Sequence, residues 1–258
     1  MESKRISFIG SGNVGSALCL EFFRKGCFIE KIASATPTRG KELADSCGAI
    51  WSDNLIFPES TNVIIVAVPD KELQKVLNAI VCSKQAIVLH TAGSYGLDVF
   101  PETLLNIGVL YPLQTFSPGR SFNFSEIPFF IEASNDYTLN AILELSSVIN
   151  SSIFKADTEK RQLLHLAAVF ACNFTNHLMT ISQDIATSAG FDRNILNSLI
   201  KETFNKALVY GGQKSQTGPA VRNDNITMDK HIRLLSSNPV LENIYKNLSE
   251  SIINNNKK

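Results

Sequence analysis

The stretch that decides the fold is "RISFIGSGNVGSALCLEFFRKG", Arg5 to Gly26. A short apolar run (Ile6, Phe8, Ile9) meets three glycines, Gly10, Gly12 and Gly15, and a helical pattern follows at once. A Gly-x-Gly-x-x-Gly triplet alone is a weak signal. Here a strand pattern precedes it and a helix pattern follows, the setting of a dinucleotide-binding turn. In such a turn the first glycine permits the bend, the second admits a pyrophosphate to the backbone, and the third lets helix and strand pack closely. The helix start then offers free N–H groups and partial positive charge to the phosphates. Gly10, Ser11, Gly12, Asn13, Val14 and Gly15 are therefore expected to hold a pyrophosphate.

Outward from this turn the first half of the chain alternates two patterns. Strands are predicted at Ile6–Ile9, Phe28–Ser34, Val63–Val68, Ala86–Leu89, Ile107–Tyr111 and Phe129–Glu132, with a last short one in Ser151–Asp157. Helices are predicted at Val14–Arg24, Arg39–Ser46, Lys71–Ile80 and Tyr137–Ile149. Several strands are near-continuous apolar runs, as in parallel sheets covered on both faces. The β-α-β rhythm predicts an α/β fold with a Rossmann-type, doubly wound, mostly parallel sheet.

After Asp157 the character changes. "TEKRQLLHLAAVFACNFTNHLMTISQDIATSAG" lacks proline, and its apolar residues recur at helical spacing, which predicts one helix of about 30 residues ending near Gly190. Further helices are expected at about Ile195–Tyr210, Thr227–Leu235 and Pro239–Ile253, then a frayed "NNNKK" tail. The expected division is a dinucleotide-binding domain over 1–155 and an all-helical domain over 156–258.

The end of the second strand bears on the choice of dinucleotide. NAD sites place Asp or Glu about 20 residues after the glycines. Here "IASATPTRGKELA" offers Ser34, Thr36, Thr38 and Arg39 instead. Thr36 is expected to cap a helix with Pro37 at its first position. Hydroxyls, a helix start and an arginine suit a 2′-phosphate, so Ser34, Thr36 and Arg39 point to NADP in preference to NAD. Val68 and Pro69, at the exit of a core strand, are expected to flank the nicotinamide, because ligands in such sheets bind beyond the carboxyl ends of the strands.

The same rule selects the chemistry. "AIVLHTAGSYG" puts His90 and Thr91 at a strand exit, and "LYPLQTF" does so for Tyr111 and Gln114. His165 and Asn173 lie eight residues apart on the long helix, polar groups in an otherwise apolar pattern. His90, His165 and Asn173 are the expected catalytic groups, handling the proton of a substrate held in a cleft between domains. Thr91, Tyr111, Gln114 and Arg222 are expected substrate contacts, with Arg222 in the turn-rich "QTGPAVRNDNITMDKHI".

Bulk properties exclude other classes. With 24 basic and 24 acidic residues the net charge is zero, which argues against nucleic acid or anionic membrane as a partner. No apolar run approaches a membrane span, and the N-terminus lacks the apolar core of a signal peptide. Five dispersed cysteines fit reduced thiols in a cytoplasm. No spacing of the His-Glu-x-x-His kind supports a metal, and no Gly-x-Ser-x-Gly element supports a hydrolase.

"FIGSGNVGSAL", "VAVPDKEL", "LHTAGSYGLDVF", "LYPLQTFSP", "LLHLAAVFACNFTNHL" and "QTGPAVRND" occur in the order seen in bacterial Rossmann-like proteins with a DUF2520 C-terminal domain. Nearly the whole chain resembles that family, labelled NADP or F420-dependent NADP oxidoreductases. Its layout is similar to pyrroline-5-carboxylate reductase and the β-hydroxyacid dehydrogenases. The resemblance implies a homodimer through the C-terminal helices, with the cleft between domains. It carries the fingerprint onto Gly10, Gly12 and Gly15, a strand-exit histidine onto His90, and a helix His and Asn onto His165 and Asn173. Asn223 departs from the family's usual glycine. The β-hydroxyacid dehydrogenase lysine has no counterpart on the long helix, so that mechanism does not transfer. The resulting expectation is NADP(H)-dependent hydride transfer to or from a small carbonyl, imine or hydroxy acid. F420 is a further candidate hydride partner, and the alternative is a non-catalytic dinucleotide sensor or regulatory dimer.

Overall fold

Four consecutive residues of one strand, Val63–Val66, are essentially sealed from solvent, as only a strand covered on both faces can be. A computed structural model of the chain describes residues 4–149 and 152–256. Its strands are β1 (Arg5–Ile9), β2 (Phe28–Ala33), β3 (Ile50–Ser52), β4 (Val63–Val66), β5 (Ile87–His90), β6 (Asn106–Pro112), β7 (Phe129–Ala133) and β8 (Ile153–Lys155). They form one sheet in the order β3-β2-β1-β4-β5-β6-β7-β8. All neighbours pair in parallel except β6 and β7. The chain order reverses beside β1, between β1 and β4, which is where a doubly wound sheet opens its ligand crevice.

Helices α1 (Asn13–Arg24), α2 (Pro37–Cys47), α3 (Asp70–Asn78) and α4 (Asp136–Ile149) cover the sheet. Leu18 and Phe22 of α1 join Phe8, Ile32 and Leu43 in one core cluster; Leu73 and Leu77 of α3 join Ile64, Val66 and Val88 in the other. The Rossmann-type expectation is met. The differences are at the edges: β4 stops at Val66 where Val68 was expected, and α3 starts one residue early and stops at Asn78. The edge strand β3 has only three residues and shows no period of its own. Ser151, the expected start of the last strand, lies outside the described residues.

The expected long helix is present as α5 (Thr158–Ala168), a π-helical turn (Val169–Phe174) and α6 (Thr175–Ser188). The wider turn interrupts the regular ladder; Phe170 and Phe174 meet edge-on across it at 5.0 Å. Such turns recur at functional positions in helices. Then follow α7 (Asn197–Tyr210), α8 (Gly212–Ser215), α9 (Asn225–Leu234) and α10 (Pro239–Asn255). Asp224 accepts the Thr227 N–H and caps α9; Asn238 caps α10. The α10 helix runs two residues beyond its expected end. Asn223 takes φ +52°, a left-handed conformation that asparagine tolerates, so it stands where glycine is usual without breaking the turn. The chain divides into two compact units, Met1–Asn176 and His177–Lys258, so α5 and its π turn belong to the first. No helix among the described residues is long and apolar enough to cross a membrane.

The seat of α1 is the tightest point of the sheet. A Cβ on Gly15 would lie 2.2 Å from the Gly10 carbonyl oxygen. The obstacle is backbone, which cannot swing aside. Gly15→Ala should therefore lower the unfolding free energy by roughly 2 kcal/mol or more, read as a clear fall in the urea midpoint; an unchanged midpoint would contradict this packing.

Candidate dinucleotide and substrate site

The three glycines do three different things. Gly10 has φ +102°, and a Cβ there would sit 2.3 Å from the Ala67 carbonyl oxygen, so the turn out of β1 is pressed against the end of β4. Gly15 seats α1. Gly12 is the N-cap of α1, in extended conformation (φ −74°), and a Cβ on it would meet nothing within 4 Å. No side chain caps this helix start. The chain thus leaves bare backbone and open space at the one glycine of the triplet that protein packing does not need. A pyrophosphate fits there, on amides that carry the positive end of the helix dipole.

The flanking side chains brace this turn. Ser11 is buried, with its hydroxyl 2.7 Å from that of Ser34 at the exit of β2. Ser34 also accepts the Thr36 N–H, at 3.2 Å. Its hydroxyl therefore links two loops at the position expected to help recognise the 2′-phosphate end of NADP. Asn13 donates its side-chain amide to the Phe116 carbonyl at 3.1 Å. Thr36 is the N-cap of α2 with Pro37 next, as expected, but its hydroxyl makes no capping bond; it stays exposed. Arg39 is exposed and lines a groove of about 330 Å³ together with Ser11, Gly12, Asn13, Ser117 and Arg120. Val14 lies half-buried behind the turn. Val68 is half-buried beside Gly10, and Pro69 is exposed at the N-cap of α3.

His90 ends β5 fully buried and stacked on Phe100 at 5.3 Å. Its Nδ1 accepts the Ala92 N–H at 3.2 Å, which leaves Nε2–H to donate to the Gly96 carbonyl at 3.2 Å. Burial pushes its imidazolium down to about 4. Both ring nitrogens are engaged by their own loop, so His90 is neutral and its hydrogen bonds hold that loop. Thr91 is likewise folded back, its N–H and hydroxyl directed at the Val66 carbonyl.

The loop that His90 pins is held from three further sides. Ser94 donates to Asp70 at the start of α3. Gln162 of α5 donates to the Ser94 carbonyl at 2.9 Å. Arg161, fully buried, donates to the Tyr95 carbonyl at 2.5 Å and pairs with Glu132 of β7 at 2.7 Å. A buried guanidinium persists only when paired and hydrogen-bonded, so Arg161 ties α5 firmly to the sheet. One turn further along α5, on the same face, His165 Nδ1 lies 3.1 Å from the Tyr111 hydroxyl. A Cβ on Gly93 would meet Tyr111 at 2.8 Å and His165 Nδ1 at 2.9 Å, so the glycine loop closes directly over this pair. Burial holds the Tyr111 phenol above its ordinary range, hence protonated.

The structure thus brings Tyr111, His165 and the Gly93 loop together in the first unit. It does not bring His90 to them as a reactive group. Gln114 is exposed and folded onto Thr115, Asn173 is exposed on the π turn, and Arg222 is exposed in the second unit. Sequence reasoning passed over Arg161, although its spacing of four from His165 was a usable signal. It also passed over Arg120, which follows Pro118-Gly119 in a loop that reads only as a turn. Another hollow, of about 430 Å³, lies at the amino ends of β4 and β5 between Lys4, Asn62 and Glu144, away from the crevice side.

Two family profiles match the chain. Residues 5–93 match "NADP oxidoreductase coenzyme F420-dependent", and residues 127–252 match the domain of unknown function DUF2520. A crystal structure from Bacteroides fragilis, described as a candidate NADP oxidoreductase, is 34% identical with a TM-score of 0.89, covering 98% of this chain and 99% of that one. The fold is shared with a reductive aminase from Aspergillus terreus in complex with NADPH and ethyl-5-oxohexanoate (12% identity, TM-score 0.74, 98% and 94% covered). It is also shared with pyrroline carboxylate reductase from Plasmodium falciparum with NADP bound (13% identity, TM-score 0.58, 99% of both covered). None of the curated proteins matches. The chain belongs to the NADP oxidoreductase family in which this N-terminal domain precedes DUF2520.

Because His90 stays neutral when folded but titrates near 6.5 when unfolded, its stabilising effect is complete above pH 6.5. It is lost as pH falls from there toward 4, by roughly 3 kcal/mol in all. His90→Gln should flatten the acid limb of unfolding free energy against pH by one proton over that window; an unaltered limb would contradict the neutral, buried assignment.

Proposed function

We propose that the protein transfers hydride between NADP(H) and a small carbonyl, imine or hydroxy-acid substrate, with Tyr111 and His165 serving the substrate's oxygen or nitrogen. The observation that carries this reading is the 3.1 Å Tyr111–His165 pair under the Gly93 loop, beyond the carboxyl end of β5. The bare turn at Gly12 and the neighbouring Arg39 are the places for a pyrophosphate and a 2′-phosphate. A bound reduced nicotinamide supplies hydride to the electrophilic carbon.

The chain's own groups then manage the proton. With Nδ1 protonated, His165 donates to the phenol oxygen of Tyr111, and the phenol O–H is free to point at a substrate oxygen or nitrogen. A phenol kept protonated by burial is a donor at neutral pH. As charge grows on the substrate heteroatom, Tyr111 gives up its proton, and His165 returns one through Nδ1 while its Nε2 takes up a proton from solvent, so the imidazole ends neutral. Arg161 and Gln162 fix α5 and the loop, so the pair is preorganised. His90 contributes by locking the loop and takes no part in proton transfer. Asn173, expected as a catalytic group, is kept only as a proposed contact for the rest of the substrate.

A homodimer through the C-terminal helices and a cytoplasmic location complete the proposal. Exposed apolar side chains such as Leu199, Leu208 and Val209 on α7 support the dimer. F420 need not take part, since nicotinamide and a proton donor complete the reaction; it enters the test only as an added acceptor.

The test is NADPH oxidation across a panel of keto acids, cyclic imines and F420, on a preparation sized by sedimentation. The expected outcome is a dimer that turns over at least one panel member. Tyr111→Phe and His165→Gln should each lower turnover roughly 10²–10⁴-fold with NADPH binding unchanged. Full turnover in both variants would remove the pair from the mechanism. NADPH binding with no turnover of any compound would favour the sensor.

A further inference from the structure

The loop between β6 and β7 crosses the sheet to the dinucleotide turn and brings an arginine with it. Phe116 is buried and packs on Phe122 at 4.9 Å and Phe124 at 6.2 Å, and the Asn13 side chain donates to its carbonyl. These contacts anchor both ends of Ser117-Pro118-Gly119-Arg120 beside the start of α1. Gly119, at φ +71°, turns the tip. Arg120 thereby lines the same groove as Ser11, Gly12, Asn13 and Arg39.

Arg39 and Arg120 come from different halves of the sheet order, one after β2 and one after β6. Neither takes part in any ion pair among the described residues. Glu42, one turn along α2 from Arg39, also lines the groove. One carboxylate against two guanidinium groups leaves the groove cationic. Two such forks lining one groove, one from α2 and one from the β6–β7 loop, suit a dianion, each offering paired N–H donors to phosphate oxygens. The Phe116, Phe122 and Phe124 contacts hold the loop that carries Arg120 beside this groove.

We infer that Arg120 is a second specificity-determining residue that, with Arg39, selects the 2′-phosphate of NADP(H). This deepens the NADP(H) reading above and rests on it. It also makes the β6–β7 loop part of the cofactor site, on the far side of the groove from α2. Because the anchoring side chain is Asn13, at the first turn of α1, the loop and the pyrophosphate turn form one unit.

The experiment measures binding of NADPH, NADH and adenosine 2′,5′-bisphosphate, by energy transfer from the single tryptophan, Trp51, and by calorimetry. It compares wild type with Arg120→Ala, Arg120→Lys and Arg39→Ala. Arg120 is exposed, so the variants should fold, checked by unchanged melting. Arg120→Ala should weaken NADPH and the bisphosphate by about 10- to 100-fold and leave NADH unchanged, with Arg120→Lys between. Equal weakening of NADPH and NADH, or no weakening of either, would overturn the assignment while leaving the NADP(H) reading intact. Failure of wild type to bind any of the three would overturn both.

Discussion

The structure turns on one close approach: α1 can start where it does only because Gly15 lies against the Gly10 carbonyl and Gly10 lies against that of Ala67. This contact sets the height of the helix above β1 and β4, and with it the position of four unbonded amides. Had either residue carried a side chain, α1 would ride outward and its N-terminus would no longer face the switch between β1 and β4. Gly12 stands apart from this logic. It fills no tight space and adopts an ordinary backbone conformation, so packing gives no reason for its missing Cβ. An approaching anion does.

The opposite half of the site is built by a different device. Where the turn is held by absence of side chains, the β5 loop is held by an excess of polar ones: His90 from beneath, Asp70 through Ser94, Gln162 and Arg161 from α5. A buried arginine is costly to place and destabilising to strip of its partner. Its return here is positional: Arg161 fixes the helix turn on which His165 stands, and Glu132 fixes Arg161. Tyr111 arrives from β6, two residues beyond the last pairing with β5. The Tyr111–His165 pair thus rests on two rigid elements, with the Gly93 backbone of the loop closing over it.

Much of this was legible in the chain. Apolar runs and glycine spacing carry the doubly wound sheet, because parallel strands buried on both faces admit little else. Pro37 after Thr36 marked the start of α2 correctly. What could not be read was where polar groups point. His90 sits at a strand exit, as a catalytic histidine would, but its ring turns inward onto Ala92 and Gly96, a choice made by the backbone of the following six residues. Ser34 stands where an adenosine-end contact was expected, and its hydroxyl is paired with that of Ser11. Arg161 looks solvated among Glu159 and Lys160, and only the fold shows Glu132 waiting for it. Arg120 is separated from Arg39 by 81 positions of sequence and follows a strand four places away in the sheet, so its place on the same groove had no local signal.

The central claim is that the space beside Gly12 belongs to a phosphate and not to the protein, and Gly12→Asp isolates it. Aspartate is a good N-cap and the backbone there is extended, so the unfolding midpoint should stay level or rise. Its carboxylate would occupy the anion's place, and NADPH affinity by titration should fall at least ~100-fold. A folded Gly12→Asp protein that still bound NADPH like wild type would contradict the account.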